Sequence, residues 1–220
     1  AGIGRRFPGL WRFVWTTNLN SSIRMSSREL DTLLVGGLAG VAAAGLYKVA
    51  KQFAGILGRF SDPLYQSIYP ELAGLWAAQK FRRFKQLLLL PGLLAGFFSL
   101  FVWFFILFSG KFVLALTMGE AFIGSQPVLV WYMLAMVIAV SGFPLQPALL
   151  AMGKPQLSFF THLGSTGLYF AVLPLFTIHY GVCGAAASYV VYYLVWSSMM
   201  IFFIRRTLAA ATAAGIKDER

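Results

Sequence analysis

Long, mainly apolar runs without Asp, Glu, Lys or Arg constrain the fold of this chain more than any other feature. Four runs cover residues 87–108, 127–152, 156–178 and 182–204. Each is long enough for a helix to cross a hydrocarbon core of about 30 Å. Because backbone polar groups inside a bilayer must be satisfied within the segment, runs of this length predict helices. A content of 59% hydrophobic and 11% charged residues also fits an integral membrane protein rather than a soluble domain.

Two further helices are predicted before these runs, over residues 7–36 and 41–76, and each carries a polar stripe. The second is long, and Pro63 and Pro70 are expected to bend it. The stripe on the first helix consists of Thr17, Ser21, Arg24, Arg28 and Asp31. The stripe on the second consists of Lys48, Lys51, Gln52, Gly55, Arg59, Asp62 and Gln66. At about 100° per residue, the stripes span arcs of roughly 80° and 100°, so each helix offers one polar face.

These patterns predict an all-α integral membrane protein whose six transmembrane helices form one lobe over residues 7–206. Helices 1 and 2, in residues 7–76, would line a cavity, and residues 77–86 would form an interfacial helix on the cytoplasmic surface. Helices 3 to 6, in residues 87–206, are apolar on nearly all sides and are expected to be scaffold. Residues 207–220 would be a cytoplasmic tail that is frayed or forms a short surface helix.

The net charge of +11 could suggest a nucleic-acid partner, but the positions of the basic residues indicate membrane topology instead. Ten basic residues fall in predicted inner loops and ends, whereas the outer loops contain only Lys111. The ten are Arg5, Arg6, Arg12, Lys80, Arg82, Arg83, Lys85, Lys154, Arg205 and Arg206. By the positive-inside rule both termini are expected to be cytoplasmic, and no nucleic-acid partner is predicted. Cys183 is the single cysteine and makes no intramolecular disulfide.

The charges inside the first two helices allow two interpretations. Each would cost about 2.5 to 3.5 kcal/mol near the bilayer centre, so they should face water or pair with one another. In one interpretation Arg28 pairs with Asp31, Arg59 pairs with Asp62, and Lys48 and Lys51 reach the outer interface. In the other, five basic and two acidic side chains line a water-filled cavity. Such a cavity would favour an anionic substrate, since guanidinium groups match phosphate oxygens.

Several short motifs follow one another along residues 7–206. They are Glu29-Leu-Asp-Thr-Leu-Leu-Val-Gly-Gly-Leu-Ala-Gly, Gly45-Leu-Tyr-Lys-Val-Ala, Tyr69-Pro-Glu-Leu, Met118-Gly-Glu-Ala-Phe, Gly153-Lys-Pro, and Pro174 followed by Tyr180-Gly-Val-Cys-Gly-Ala-Ala-Ala. In order and spacing they resemble the C-terminal half of bacterial polysaccharide flippases. Those proteins belong to the multidrug, oligosaccharidyl-lipid and polysaccharide exporter superfamily, whose members have two six-helix lobes around a central cavity.

The resemblance implies a transporter of the bacterial inner membrane that is not an enzyme and uses no cofactor. It would move undecaprenyl-diphosphate-linked oligosaccharide from the inner to the outer leaflet by alternating access, for surface polysaccharides such as O-antigen. The implied partners are this anionic lipid-linked glycan, membrane lipid and the polysaccharide polymerase machinery. A missing N-terminal six-helix lobe is a further expected partner, because the resemblance is to the second lobe alone.

The resemblance also implies which residues line the cavity: Arg24, Arg28, Lys48, Lys51 and Arg59. We hypothesise that Arg24 and Arg28 engage the diphosphate. Hydrogen bonds to sugar hydroxyls are assigned to Asn18, Asn20, Ser21 and Gln52. Asp31 and Asp62 are expected to orient the basic groups, with binding of a coupling ion as the alternative.

Two other classes of protein are alternatives to a flippase. An ion-coupled multidrug exporter of the same superfamily would favour acidic residues in its cavity, whereas this one has a basic excess. A membrane-embedded glycosyl- or acyltransferase would need an acid, a base or a metal cluster. His162 and His179 are isolated in the sequence, so no catalytic residue and no metal site are predicted.

Overall fold

A computed structural model of the chain describes residues 29–59 and 61–218, without the side chains of residues 62 and 214–218. The described residues are almost entirely helical and contain no strand, which confirms the predicted all-α membrane class. The helices in chain order are α1 (29–39), α2 (Val41–Arg59), α3 (Ser61–Ala77), α4 (Phe81–Met118), a 3-10 helix (Glu120–Ser125), α5 (Gln126–Ser141), α6 (Leu145–Ala151) and α7 (Pro155–Asp218).

Three parts of the described chain are long and apolar enough to cross a membrane, namely Phe81–Met118, Glu120–Ala151 and Pro155–Ala213. They contain the apolar runs 87–108, 156–178 and 182–204 and all but the last residue of the run 127–152. Most of the first predicted helix lies outside the described residues, so the count of six crossings stays a prediction.

Helix α7 is a hairpin of two antiparallel segments. Gly181 has φ 62° and ψ −145°, a left-handed conformation that interrupts the helix and favours glycine. On either side of it, the rings of Tyr169 and Tyr189 lie 5.3 Å apart, and those of His162 and Trp196 lie 5.8 Å apart. The first pair lies nearer to Gly181 in the sequence on both sides than the second pair does. The two segments therefore run in opposite directions. The short interval between the apolar runs 156–178 and 182–204 lies at this bend.

Two predicted boundaries differ from the structure. Phe81–Gln86, expected as a separate interfacial helix, forms the first turns of α4. No helix breaker separates these residues from the apolar run, and Phe84 is fully buried beside Trp76, at 5.5 Å between ring centroids. Residues 207–218, expected as a frayed or separate short surface helix in the tail, are helical but continue α7 without a break, which suits their alanine-rich sequence.

Helix α5 contributes more buried side chains to the main core than any other single straight helix of the described residues and lies at its centre. Its residues Leu129, Tyr132 and Met136 pack in one cluster with buried residues of α2, α4 and α7. The outward face of α4 is exposed, with Phe97 75% and Phe108 83% accessible, as expected for a lipid-facing surface. This packing leaves the polar face of α2 turned toward α5, α6 and α7.

A candidate substrate cavity between α2 and a wall of tyrosines

A cavity of about 990 Å³ lies along the polar face of α2. On the α2 side it is lined by Lys48, Lys51, Gln52 and Arg59. The opposite side is formed by α5, α6 and α7. Ligand pockets commonly measure about 300 to 1,000 Å³, so the space suits a large substrate group.

The opposite side is a tyrosine wall, which we define as Tyr132, Tyr169, Tyr189, Tyr192 and Tyr193. The ring centroids of neighbouring members lie 4.9 to 5.5 Å apart. The expectation that residues 87–206 are apolar scaffold is therefore wrong for this face. Tyrosine has an apolar ring with a polar hydroxyl, so it extends an apolar run while still offering a hydrogen-bonding group.

A sequence signal for the tyrosine wall does exist. Tyr189, Tyr192 and Tyr193 are spaced by three and four residues, which places them on one helix face. Tyr132 and Tyr169 join them only through the packing of α5 and the other segment of α7.

Asp31 of α1 ties the two sides of the cavity together. Its side chain is only 4% exposed, and both carboxylate oxygens accept from Lys51 Nζ, at 2.8 and 3.0 Å. Tyr47 and Tyr169 donate to Asp31 Oδ2 at 3.1 and 3.2 Å, and the backbone N–H of Thr32 donates to Oδ1 at 2.7 Å. A buried carboxylate is costly unless it is paired and hydrogen-bonded, and this one is both.

Tyr132 extends this network to α5 by donating to the Tyr47 hydroxyl at 2.7 Å. The Asp31 network therefore links α1, α2, α5 and α7 through side chains distant in sequence. It fixes the position of the Lys51 ammonium at the edge of the cavity, where the Lys51 side chain is 22% exposed.

The structure places some of the predicted site residues together. Lys48 is half exposed, and its Nζ lies 3.9 Å from Glu29 Oε2. Glu29 also lines the cavity, although it is not part of the polar stripe predicted on its helix. Gln52 and Arg59 are exposed to the cavity, and Arg59 forms no ion pair with a described side chain. The described lining thus has three basic and two acidic groups.

The remaining predicted site residues lie outside the described part of the chain. These are Asn18, Asn20, Ser21, Arg24 and Arg28, together with the side chain of Asp62. The local pairing of Arg28 with Asp31 and of Arg59 with Asp62 is consequently not described. Lys51, which that interpretation assigned to the outer interface, is instead paired with Asp31.

His162, Gln146 and Thr166 complete the lining from α6 and α7. Trp196 Nε1 donates to His162 Nε2 at 3.4 Å, so the histidine packs against a neighbouring aromatic residue. The described residues include no group of three or more His, Cys, Asp or Glu side chains that could hold a metal ion.

Comparison with known proteins places the chain in a family. Residues 4–127, more than half of the chain, match a family described as polysaccharide biosynthesis protein. The chain belongs to this family. The match includes the basic side of the cavity, whereas the tyrosine wall follows it in the sequence.

A curated protein is similar to part of this chain. The chain is 36% identical over 119 residues to the inner membrane protein YghQ of Escherichia coli strain K12. The match covers 54% of this chain and 33% of YghQ, so the chain spans about a third of the length of that relative. No solved structure matches. The chain is therefore a membrane protein of a polysaccharide biosynthesis family.

We expect Gln52→Cys to react with a membrane-impermeant thiol reagent and Phe98→Cys to remain unlabelled. Gln52 lines the cavity, where a hydrated thiol can form the reactive thiolate. Phe98 lies on the exposed apolar face of α4, where apolar surroundings keep a thiol protonated. Both variants are made in the full-length protein after its native cysteines, including Cys183, have been replaced by serine, and labelling is read from gel mobility in permeabilised membranes. Labelling in denaturant shows that both thiols are present. Equal labelling in native membranes would contradict a water-filled cavity.

Proposed function

We propose that the chain is one lobe of a flippase that moves undecaprenyl-diphosphate-linked oligosaccharide from the inner to the outer leaflet by alternating access. The supporting observation is the cavity, which has Lys48, Lys51 and Arg59 on one side and the tyrosine wall on the other. Membership of a polysaccharide biosynthesis family favours a glycan intermediate as the substrate.

The two sides of the cavity suit the two parts of such a substrate. Ammonium and guanidinium groups bind phosphate oxygens by charge-assisted hydrogen bonds. In this proposal Arg59 and Lys48 join Arg24 and Arg28 in engaging the diphosphate. Amide and hydroxyl groups both donate and accept, so Gln52 and the tyrosine hydroxyls suit sugar hydroxyls, as do Asn18, Asn20 and Ser21. Asp31 acts by holding Lys51 in place.

The proposed flippase would need a partner lobe and a defined orientation in the membrane. A second six-helix lobe would face the α2 side and close the cavity alternately toward each leaflet. The protein would lie in the bacterial inner membrane with both termini cytoplasmic, and would hand its product to polysaccharide polymerase machinery. It would be a transporter rather than a membrane-embedded transferase.

Transport by reconstituted full-length protein tests this proposal. Liposomes receive a fluorescent glycan linked through diphosphate to undecaprenol, and its appearance in the opposite leaflet is followed with an impermeant quencher. A neutral lipid with the same glycan and a cationic dye serve as comparison substrates. We expect the protein to move the lipid with the diphosphate-linked glycan but neither the neutral lipid nor the cationic dye. Transport of the dye without movement of the lipid would instead identify a multidrug exporter.

A further inference from the structure

A second cavity, separate from the candidate substrate cavity, is an apolar groove of about 770 Å³ between α4, α5 and the second segment of α7. Its apolar lining includes Leu89, Leu93 and Phe97 of α4 and Ile201 of α7. At one end lie Lys85 and Arg205, which also line an adjoining cavity of about 450 Å³. The groove and this smaller cavity therefore meet at a pair of basic side chains.

The α4 side of the groove is one continuous helix face. Its lining residues recur every three or four positions from Lys85 to Leu100, a distance of about 22 Å along the axis. That length exceeds one leaflet of the hydrocarbon core, which is about 15 Å. The face is open to the outside, since Leu93 and Phe97 are 68% and 75% exposed. An extended hydrocarbon chain fits these dimensions.

Close packing of α4 on α5 forms the floor of the groove. A Cβ atom on Gly92 would lie 2.7 Å from the Ser141 carbonyl oxygen, and one on Gly96 would overlap the Ser141 hydroxyl. Side chains at these positions would push the helices apart, so the glycines keep the floor closed. The groove is therefore a feature of tight helix packing.

The charge of the groove selects the head group. Lys85 and Arg205 are both exposed, and no acidic side chain lines the groove or the adjoining cavity within the described residues. A long apolar groove with basic side chains at one end is complementary to an amphiphile that has a negatively charged head group. Basic pockets between membrane helices are known to bind such head groups. We propose that the groove binds an anionic phospholipid, with its phosphate at Lys85 and Arg205 and one acyl chain along α4 toward Leu100.

Native mass spectrometry of the full-length, delipidated protein tests this site, whichever substrate is transported. Dioleoylphosphatidylglycerol and dioleoylphosphatidylcholine have the same acyl chains, so they differ only in the head group. We expect phosphatidylglycerol to bind about 30-fold more tightly, from two basic contacts near the membrane surface. The double variant Lys85→Gln/Arg205→Gln should lower its affinity to that of phosphatidylcholine.

The matched control is Lys80→Gln/Arg206→Gln, which removes the same charge at exposed positions outside the groove lining and should keep the preference. Leu93→Trp, which fills the groove from its open side, should weaken both lipids. Equal binding of the two lipids by the unmodified protein would overturn the proposal. Loss of the preference in the control variant alone would also overturn it. A lipid-free dimer that Leu93→Trp dissociates would do the same, because the groove would then hold a second copy of the protein.

Discussion

Asp31→Ala should destabilise the protein by about 3 to 5 kcal/mol, the usual cost of removing one partner from a buried ion pair. The change leaves Lys51 without the carboxylate that lies 2.8 Å from its ammonium group. It also removes the acceptor of hydrogen bonds from Tyr47 and Tyr169, in a region of low dielectric constant where an unmatched polar group is costly. The loss should appear as a large fall in the unfolding temperature of the full-length protein in detergent.

Glu29→Ala is the matched control, because it removes an acidic side chain from the same helix and the same cavity. Glu29 is 54% exposed and lies 3.9 Å from Lys48, so water and salt screen this pair and the cost should be below about 1 kcal/mol. Adding Lys51→Met to Asp31→Ala should cost less than the sum of the single changes, since both changes remove the same ion pair. Equal unfolding temperatures for Asp31→Ala and Glu29→Ala would contradict the buried network.

Gly55→Trp should abolish export of surface polysaccharide at normal membrane abundance. Gly55 lines the candidate substrate cavity, and a Cβ atom there would meet nothing within 4 Å, so an indole ring can enter the space without disturbing the helix. The ring would occupy volume that the glycan needs between α2 and the tyrosine wall. Export is measured in cells whose own copy of the gene is deleted, with the full-length variant supplied on a plasmid.

Gly45→Trp is the control for this substitution. Gly45 is on the same helix, is exposed and has the same open surroundings, but does not line the cavity. We expect it to retain export, and Gly55→Ala to retain most of it. Normal export by Gly55→Trp would show that the substrate passes elsewhere, whereas loss of export in both tryptophan variants at equal abundance would point to a general effect on α2.

Features that depend on local periodicity followed from the sequence. The apolar runs predicted the parts of α4, α5 and α7 that are long and apolar enough to cross a membrane, because a helix in lipid requires an apolar segment of that length. The spacing of Lys48, Gln52 and Arg59 predicted that they share one face of α2, and all three line the cavity. The bend at Gly181 was also predictable, since a glycine in a short polar interruption readily ends a helix.

Features that depend on which faces meet were decided only by the tertiary structure. Spacing offered Arg28 as a local partner for Asp31, yet Asp31 binds Lys51, twenty residues along the chain and on another helix. The tyrosine wall combines residues from α5 and both segments of α7, and hydropathy alone classes those residues with apolar scaffold. The physical reason is that helical periodicity determines where a side chain points on its own helix. Its partners, and hence the burial of a charge or hydroxyl, depend on how separate helices pack together.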